Sequence, residues 1–110
     1  MWVDNDLTKF AGGGLASVGG VEGSGRPSLD AYSQGDNSQH VNFTDETARV
    51  HELYRSPDPA AQWVDNDLTG FAHGTPAHDS GPIDGYSQGD GSQHVNFIDD
   101  NGHVHELYNP

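Results

Sequence analysis

The chain has no cysteine, so neither a disulfide nor a thiolate-bound metal can hold it together. Basic residues are scarce, with 4 Lys and Arg against 17 Asp and Glu and a formal net charge of -13. Lys and Arg are what hold phosphate backbones, so nucleic acid is excluded as an expected partner. An anionic membrane surface repels the chain for the same reason. A neutral ligand or a cation remains open. Long apolar runs are also missing, and membrane insertion is not expected. The start, Met1-Trp2-Val3-Asp4, has no basic segment and no apolar h-region, so no secretory signal is expected. Only 32% of the 110 residues are hydrophobic. Ordering each residue costs roughly 1–2 kcal/mol of backbone entropy, and a lone copy has little apolar surface to offset that. With disulfides excluded, the remedies left to a small scaffold are a metal held by oxygen or imidazole, or partner chains.

What the chain does have is a repeat. Residues 2–8, Trp-Val-Asp-Asn-Asp-Leu-Thr, recur letter for letter as residues 63–69. Residues 32–54 recur as residues 86–108, matching at roughly three positions in four. Both copies of this longer block contain Tyr-Ser-Gln-Gly-Asp, Ser-Gln-His-Val-Asn-Phe and Val-His-Glu-Leu-Tyr. The first copy is longer between the blocks by seven residues, which fall in the Gly-rich stretch 12–25 and read as a loop. A period of this size suits a four-stranded propeller blade better than a helical solenoid.

The local pattern agrees. Residues 93–98 and 103–108 are short, rich in β-branched and aromatic side chains, and flank Asp99-Asp100-Asn101-Gly102. Asn-Gly between two such runs is a strong hairpin signal, because both turn positions need positive φ. Asp90-Gly91 gives the same signal one hairpin earlier. The first copy has Asp36-Asn37 and Thr47-Ala48 at these points, so its second hairpin is expected to use a longer turn. Pro57 and Pro59 mark the segment before Trp63 as a connector. No stretch shows sustained helical periodicity.

The expected fold is therefore all-β: a β-propeller with two four-stranded blades per chain. Residues 27–69 form the first blade. Residues 82–108 supply three strands of the second, leaving residues 2–8 as a strand donated to the last blade of a neighbouring chain. Such a head-to-tail contact closes into a ring or runs on as a filament. Six blades from a trimer is the first expectation for this homo-oligomer and eight from a tetramer the second.

The motifs Trp-x-x-Asn-Asp-Leu-Thr, Gln-His-Val-x-Phe and Gly-His-Val-His-Glu-Leu-Tyr resemble the blade repeats of bacterial β-propellers of lectin-like role. The resemblance covers about half of the chain. The two-blade arrangement is also similar to short trimeric fucose-binding propeller lectins whose chains share one ring. The repeated Arg and Trp pattern of those lectins is not found here, where Arg26, Arg49 and Arg55 are the arginines. The resemblance thus implies a sugar-binding ring without naming the sugar.

Several constellations carry possible chemistry. His-Glu-Leu-Tyr, at 51–54 and 105–108, lacks the second His that a zincin needs one helical turn on. A two-residue turn at Asn101-Gly102 would pair Asp100 with His103 and Ile98 with His105, putting His94, His103 and His105 on one face. Arg49 replaces His103 in the first copy, so that triad cannot repeat, and no metal or other cofactor is expected. Asp4-Asn5-Asp6 and Asp65-Asn66-Asp67 are oxygen-rich but lack the Gly and distant Glu of a calcium loop. Sugar recognition needs aromatic faces beside planar polar groups. Trp2, Trp63, Tyr54 and Tyr108 supply the first; Asp4, Asn5, His40, Glu52, Asp65, Asn66, His94 and Glu106 supply the second. These are the candidate ligand-binding residues, and a neutral glycan is the expected partner. No catalytic residue is assigned: Glu52 and Glu106 sit in repeated surroundings, whereas an acid–base pair needs two unlike ones. The rival expectation is a structural or protein-interaction ring.

Overall fold

A computed structural model describes residues 1–17, 28–78 and 81–110. Seven strands fall into two antiparallel sheets. The first runs β1 (Leu29–Ser33), β2 (Gln39–Thr44), β3 (Val50–Arg55) and β4 (Val64–Asp67) in chain order. The second runs β5 (Ile83–Ser87), β6 (Gln93–Ile98) and β7 (Val104–Asn109). Both copies keep one register: His40 faces Tyr54 and Phe43 faces His51, as His94 faces Tyr108 and Phe97 faces His105. The all-β architecture expected from the repeat is present, with one sheet of four strands and one of three. Residues 18–25 of the expected Gly-rich loop lie outside the described residues; Ala16 makes a single antiparallel bridge to Asp45.

The second hairpin differs from expectation in both copies. Ile98 pairs with Val104, not His105, and the turn spans Asp99 to His103. Asp99 sets this turn, its Oδ1 accepting from Asn101 N and His103 N, each at 2.9 Å. Asp45 Oδ1 does the same for Thr47 N at 2.9 Å and Arg49 N at 3.1 Å. The first copy therefore uses a turn of the same length, with Ala48 at φ 65° where Gly102 sits at φ 81°. Carboxylate-to-amide bonding outweighed the residue preference at the left-handed position.

The Trp-Val-Asp-Asn-Asp-Leu-Thr motif is a strand for only part of its length. In the second copy β4 stops at Asp67 and the helix α2 (Leu68–Ala72) begins. Asp67 caps it, accepting from Gly70 N at 2.9 Å, and His73 closes it at φ 51°. In the first copy the helix α1 (Leu7–Ala11) is capped by Asp6 and closed by Gly12. Each helix is five residues long, too short to leave a periodicity that sequence reading detects. Residues 1–6 belong to no strand, so the expected strand over 2–8 is not formed within this chain.

The two sheets stack face to face. By strand alternation Thr44, Val50 and Glu52 share one face of the first sheet. Ile83, Val95, Phe97 and Leu107 share the opposing face of the second, and with Val50, Ala77 and Leu68 they form the apolar core. Gly85 lets β5 approach closely: a Cβ there would lie 2.5 Å from Asn42 Nδ2 and 3.0 Å from Tyr32 Cε1. Ser28 Oγ donates to Gly81 O, Asp30 accepts from Gly85 N, and Ala77 N donates to Ala48 O at 2.8 Å. No helix among the described residues is long and apolar enough to cross a membrane.

Candidate functional site

Where the sheets meet, a cavity of about 450 Å³ opens beside the core. Its polar wall comes from one face of the first sheet. His40 is buried and places Nδ1 2.9 Å from Glu52 Oε2 and Nε2 2.8 Å from Ser38 Oγ. Tyr32 stacks on the imidazole at 4.6 Å and 5°, while Tyr54 meets it edge-on at 5.2 Å. Burial, with Glu52 and Asp30 nearby, pushes the Tyr32 hydroxyl up to about 12 against a donated bond from Gln93, so it stays a neutral phenol. Gln93 enters from the second sheet and donates to Tyr32 Oη at 3.2 Å and Glu52 Oε2 at 3.4 Å. Asn66 reaches Glu52 Oε1 at 3.5 Å. The apolar wall is Leu68, Phe71 and Ala72 of α2 together with Val95 and Leu107, and Tyr108 and Asn109 stand at the rim.

Of the candidate residues, His40, Glu52, Tyr54 and Asn66 meet in this cavity; Tyr108 borders it, but its ring packs on His94 at 5.0 Å, on the far face of the second sheet. Asn5 and Trp63 border a second, more open cavity of about 520 Å³ on the other face of the first sheet, with Val3, Leu7 and Val41. Trp2 is fully exposed and lines neither cavity, nor does Asp4. Asp65 is committed elsewhere: it bonds His51 Nδ1 at 2.8 Å and Gly14 N at 2.8 Å. His94 and Glu106 lie on the far face of the second sheet, bonded to each other at 3.0 Å. The sequence reading did not single out Tyr32, Gln34, Gln93, Leu68 or Phe71. The first three belong to the repeated Tyr-Ser-Gln and Ser-Gln-His blocks, and that repetition was the available signal.

Ser38, His40 and Glu52 are connected like a hydrolase triad, and Ser92, His94 and Glu106 repeat the pattern, with Ser92 Oγ 2.9 Å from His94 Nε2. A nucleophile must reach its substrate. Ser38 is 1% exposed and Ser92 2%. Ser38 Oγ also contacts Gln34 Oε1, and Ser92 Oγ contacts Asp90 Oδ1, so both hydroxyls serve the neighbouring turn. The chains are hydrogen-bonded struts that orient the imidazoles.

The predicted grouping of His94, His103 and His105 is broken by the observed register, which places His94 and His105 on opposite faces. His105 Nε2 instead lies 2.8 Å from Asp99 Oδ2, with His103 Nδ1 3.8 Å from the same oxygen. The equivalent His51 is held on both sides, by Asp45 at 2.7 Å and Asp65 at 2.8 Å. Where His103 stands in the second sheet, the first has Arg49, whose Nη2 and Nε lie 2.6 Å and 2.9 Å from Asp67 Oδ2. No family model, curated protein or solved structure matches this chain.

Proposed function

We propose that the protein is a multivalent carbohydrate-binding lectin, a β-propeller ring assembled from copies of this two-sheet unit, and that it is not an enzyme. The observation that carries the sugar-binding reading is the junction cavity. It sets aromatic rings (Tyr54, Phe71) beside the planar polar groups of Glu52, Asn66 and Asn109. A saccharide offers the same mixture, C–H faces for the rings and hydroxyls for the amides and carboxylate.

The ring reading is supported by the unequal burial of repeated residues. Val50 is 0% exposed and Val104 76%, although the two are equivalent. Val50 N donates to Thr69 Oγ1 at 2.8 Å, and the identical motif at residues 2–8 holds Thr8 in the corresponding place. α1 already lies against β3 and β4 of the first sheet, so residues 2–6 sit beside that sheet and pair with no strand. Docking the free edge of β7 from a second copy would pair Val3 to Asp6 as Val64 to Asp67 pair with β3. That contact would build a further cavity from Tyr86, His94, Glu106 and Tyr108 of one copy and Asn5 and Gln39 of the next. Several weak sites on one ring gain avidity without any new contact.

Light scattering is expected to give the mass of three chains, or of four as the second expectation, and deletion of residues 2–6 to lower it. A glycan array is expected to show binding that Glu52→Gln and Tyr54→Ala remove. An array without a binder, on protein shown to be a ring, defeats the lectin reading and leaves the assembly standing. A well-folded monomer at high concentration defeats the assembly. The specific observation favouring a protein-interaction ring is that both Glu52 oxygens already have partners inside the protein. Capture of a protein partner that sugars fail to compete away would decide for it.

A further inference from the structure

Among the described residues, Asp99, His103 and His105 bring one carboxylate oxygen and two imidazole nitrogens within 4.8 Å of one another. We propose that these three side chains bind a divalent transition-metal ion of the zinc type at the open edge of the second sheet. Two imidazoles and a carboxylate are ligands zinc accepts, at about 2.0–2.2 Å each. The carboxylate is fixed in advance. Asp99 is 6% exposed, and its Oδ1 is taken by two turn amides, which leaves Oδ2 facing both rings. His103 is largely exposed, so an ion reaches the group directly from solvent.

A second observation points to a cation at the same place. The first sheet carries the equivalent Asp45 and His51, and there the third position is Arg49. Its guanidinium holds Asp67 and supplies a permanent positive charge. The second sheet puts the imidazole of His103 where that guanidinium stood, in a chain of net charge -13. A bound metal restores the charge and uses the exchanged side chain as a ligand.

Metal binding at His105 Nε2 requires that nitrogen's lone pair, so the ring proton moves to Nδ1. A ligating imidazole is held best when its other N–H donates to a carboxylate. His51 Nδ1 has Asp65 in that role, and the repeat assigns the role beside His105 to Asp4 of a neighbouring copy. This last contact rests on the proposed ring; the three ligands do not, because they belong to one chain.

The test is calorimetric titration of the chelator-treated full chain with zinc chloride, alongside nitrogen NMR shifts of the imidazoles. The expected result is one zinc per chain, with His103 Nδ1 and His105 Nε2 shifting. His103→Arg installs the residue the first sheet already tolerates, so it keeps the fold, and it is expected to weaken binding on the order of 100-fold or more. Arg49→His is expected to raise the stoichiometry to two. Zinc binding that His103→Arg leaves unchanged overturns the proposal, and so does the absence of binding at millimolar zinc. Running the titration at a dilution where the chain is monomeric separates this result from the fate of the ring.

Discussion

His51 shows how much one side chain does when both its nitrogens are bonded. Burial disfavours its charge, but hydrogen bonds and attraction from Asp65 and Asp45 outweigh that and raise its pKa above the ordinary value. A group raised on folding stabilises below its unfolded pKa of about 6.5, and this is lost as pH rises through the folded value. Asp45 runs the other way. Burial opposes its charge, yet bonds from Thr47, His51 and the Arg49 amide lower its pKa. Its contribution is present above about 3.9 and is lost as pH falls through the depressed value. Stability from this cluster is therefore greatest between about pH 4 and 6.5. Urea midpoints should hold across that range and fall as pH rises above about 6.5, and His51→Gln should flatten that fall. An equally steep fall in the variant would mean another group is responsible. Ala48 gives a second prediction. A left-handed backbone costs an alanine about 1–2 kcal/mol, part of which glycine returns as lost entropy. Ala48→Gly, which copies Gly102, should raise stability by about 0.5–1 kcal/mol in the same urea titration. No change would mean the turn accommodates alanine without strain.

At the scale of elements, what was legible followed from repetition and alternation, and what was not followed from side-chain bonding. The six strands β1 to β3 and β5 to β7 lie where the alternating runs placed them. The hairpin register was misread because Asn101-Gly102 outranks its neighbours as a turn signal, whereas Asp99 holds the turn one residue wider. That one-residue change moved His105 to the other face and created the Asp99 cluster. The candidate cavity was half legible. His40, Glu52, Tyr54 and Asn66 could be named because they repeat, but Leu68 and Phe71 reach it only because α2 turns back over the sheet. α2 depends on Asp67, which caps it and also bonds Arg49. The ion pair is about a third exposed on each side, so it is worth little. The cap is worth about 1–2 kcal/mol. Asp67→Asn, which keeps a capping oxygen, should thus cost under about 1 kcal/mol, and Asp67→Ala about 1–2 kcal/mol. Equal losses in thermal or urea unfolding would assign the energy to the ion pair instead.

For the whole molecule, one motif occurs in two environments within a single chain. Residues 63–69 complete a sheet while the identical residues 2–8 do not, so the difference lies in the neighbour and not in the letters. In the proposed ring, the junction between copies would not be a perfect replica of the junction within the chain. Ala31 stands where Gly85 allows close approach, and His103 stands where Arg49 holds Asp67. The two tryptophans make the environment measurable. Trp2 is fully exposed, whereas Trp63 is partly sheltered against the first sheet. In Trp63→Phe the remaining indole reports on residues 2–6 alone. If those residues enter a neighbour's sheet, emission should shift to the blue as concentration rises, over the range in which light scattering shows the mass increase. Emission typical of water-exposed indole at every concentration, with the mass still rising, would mean that copies meet through another surface.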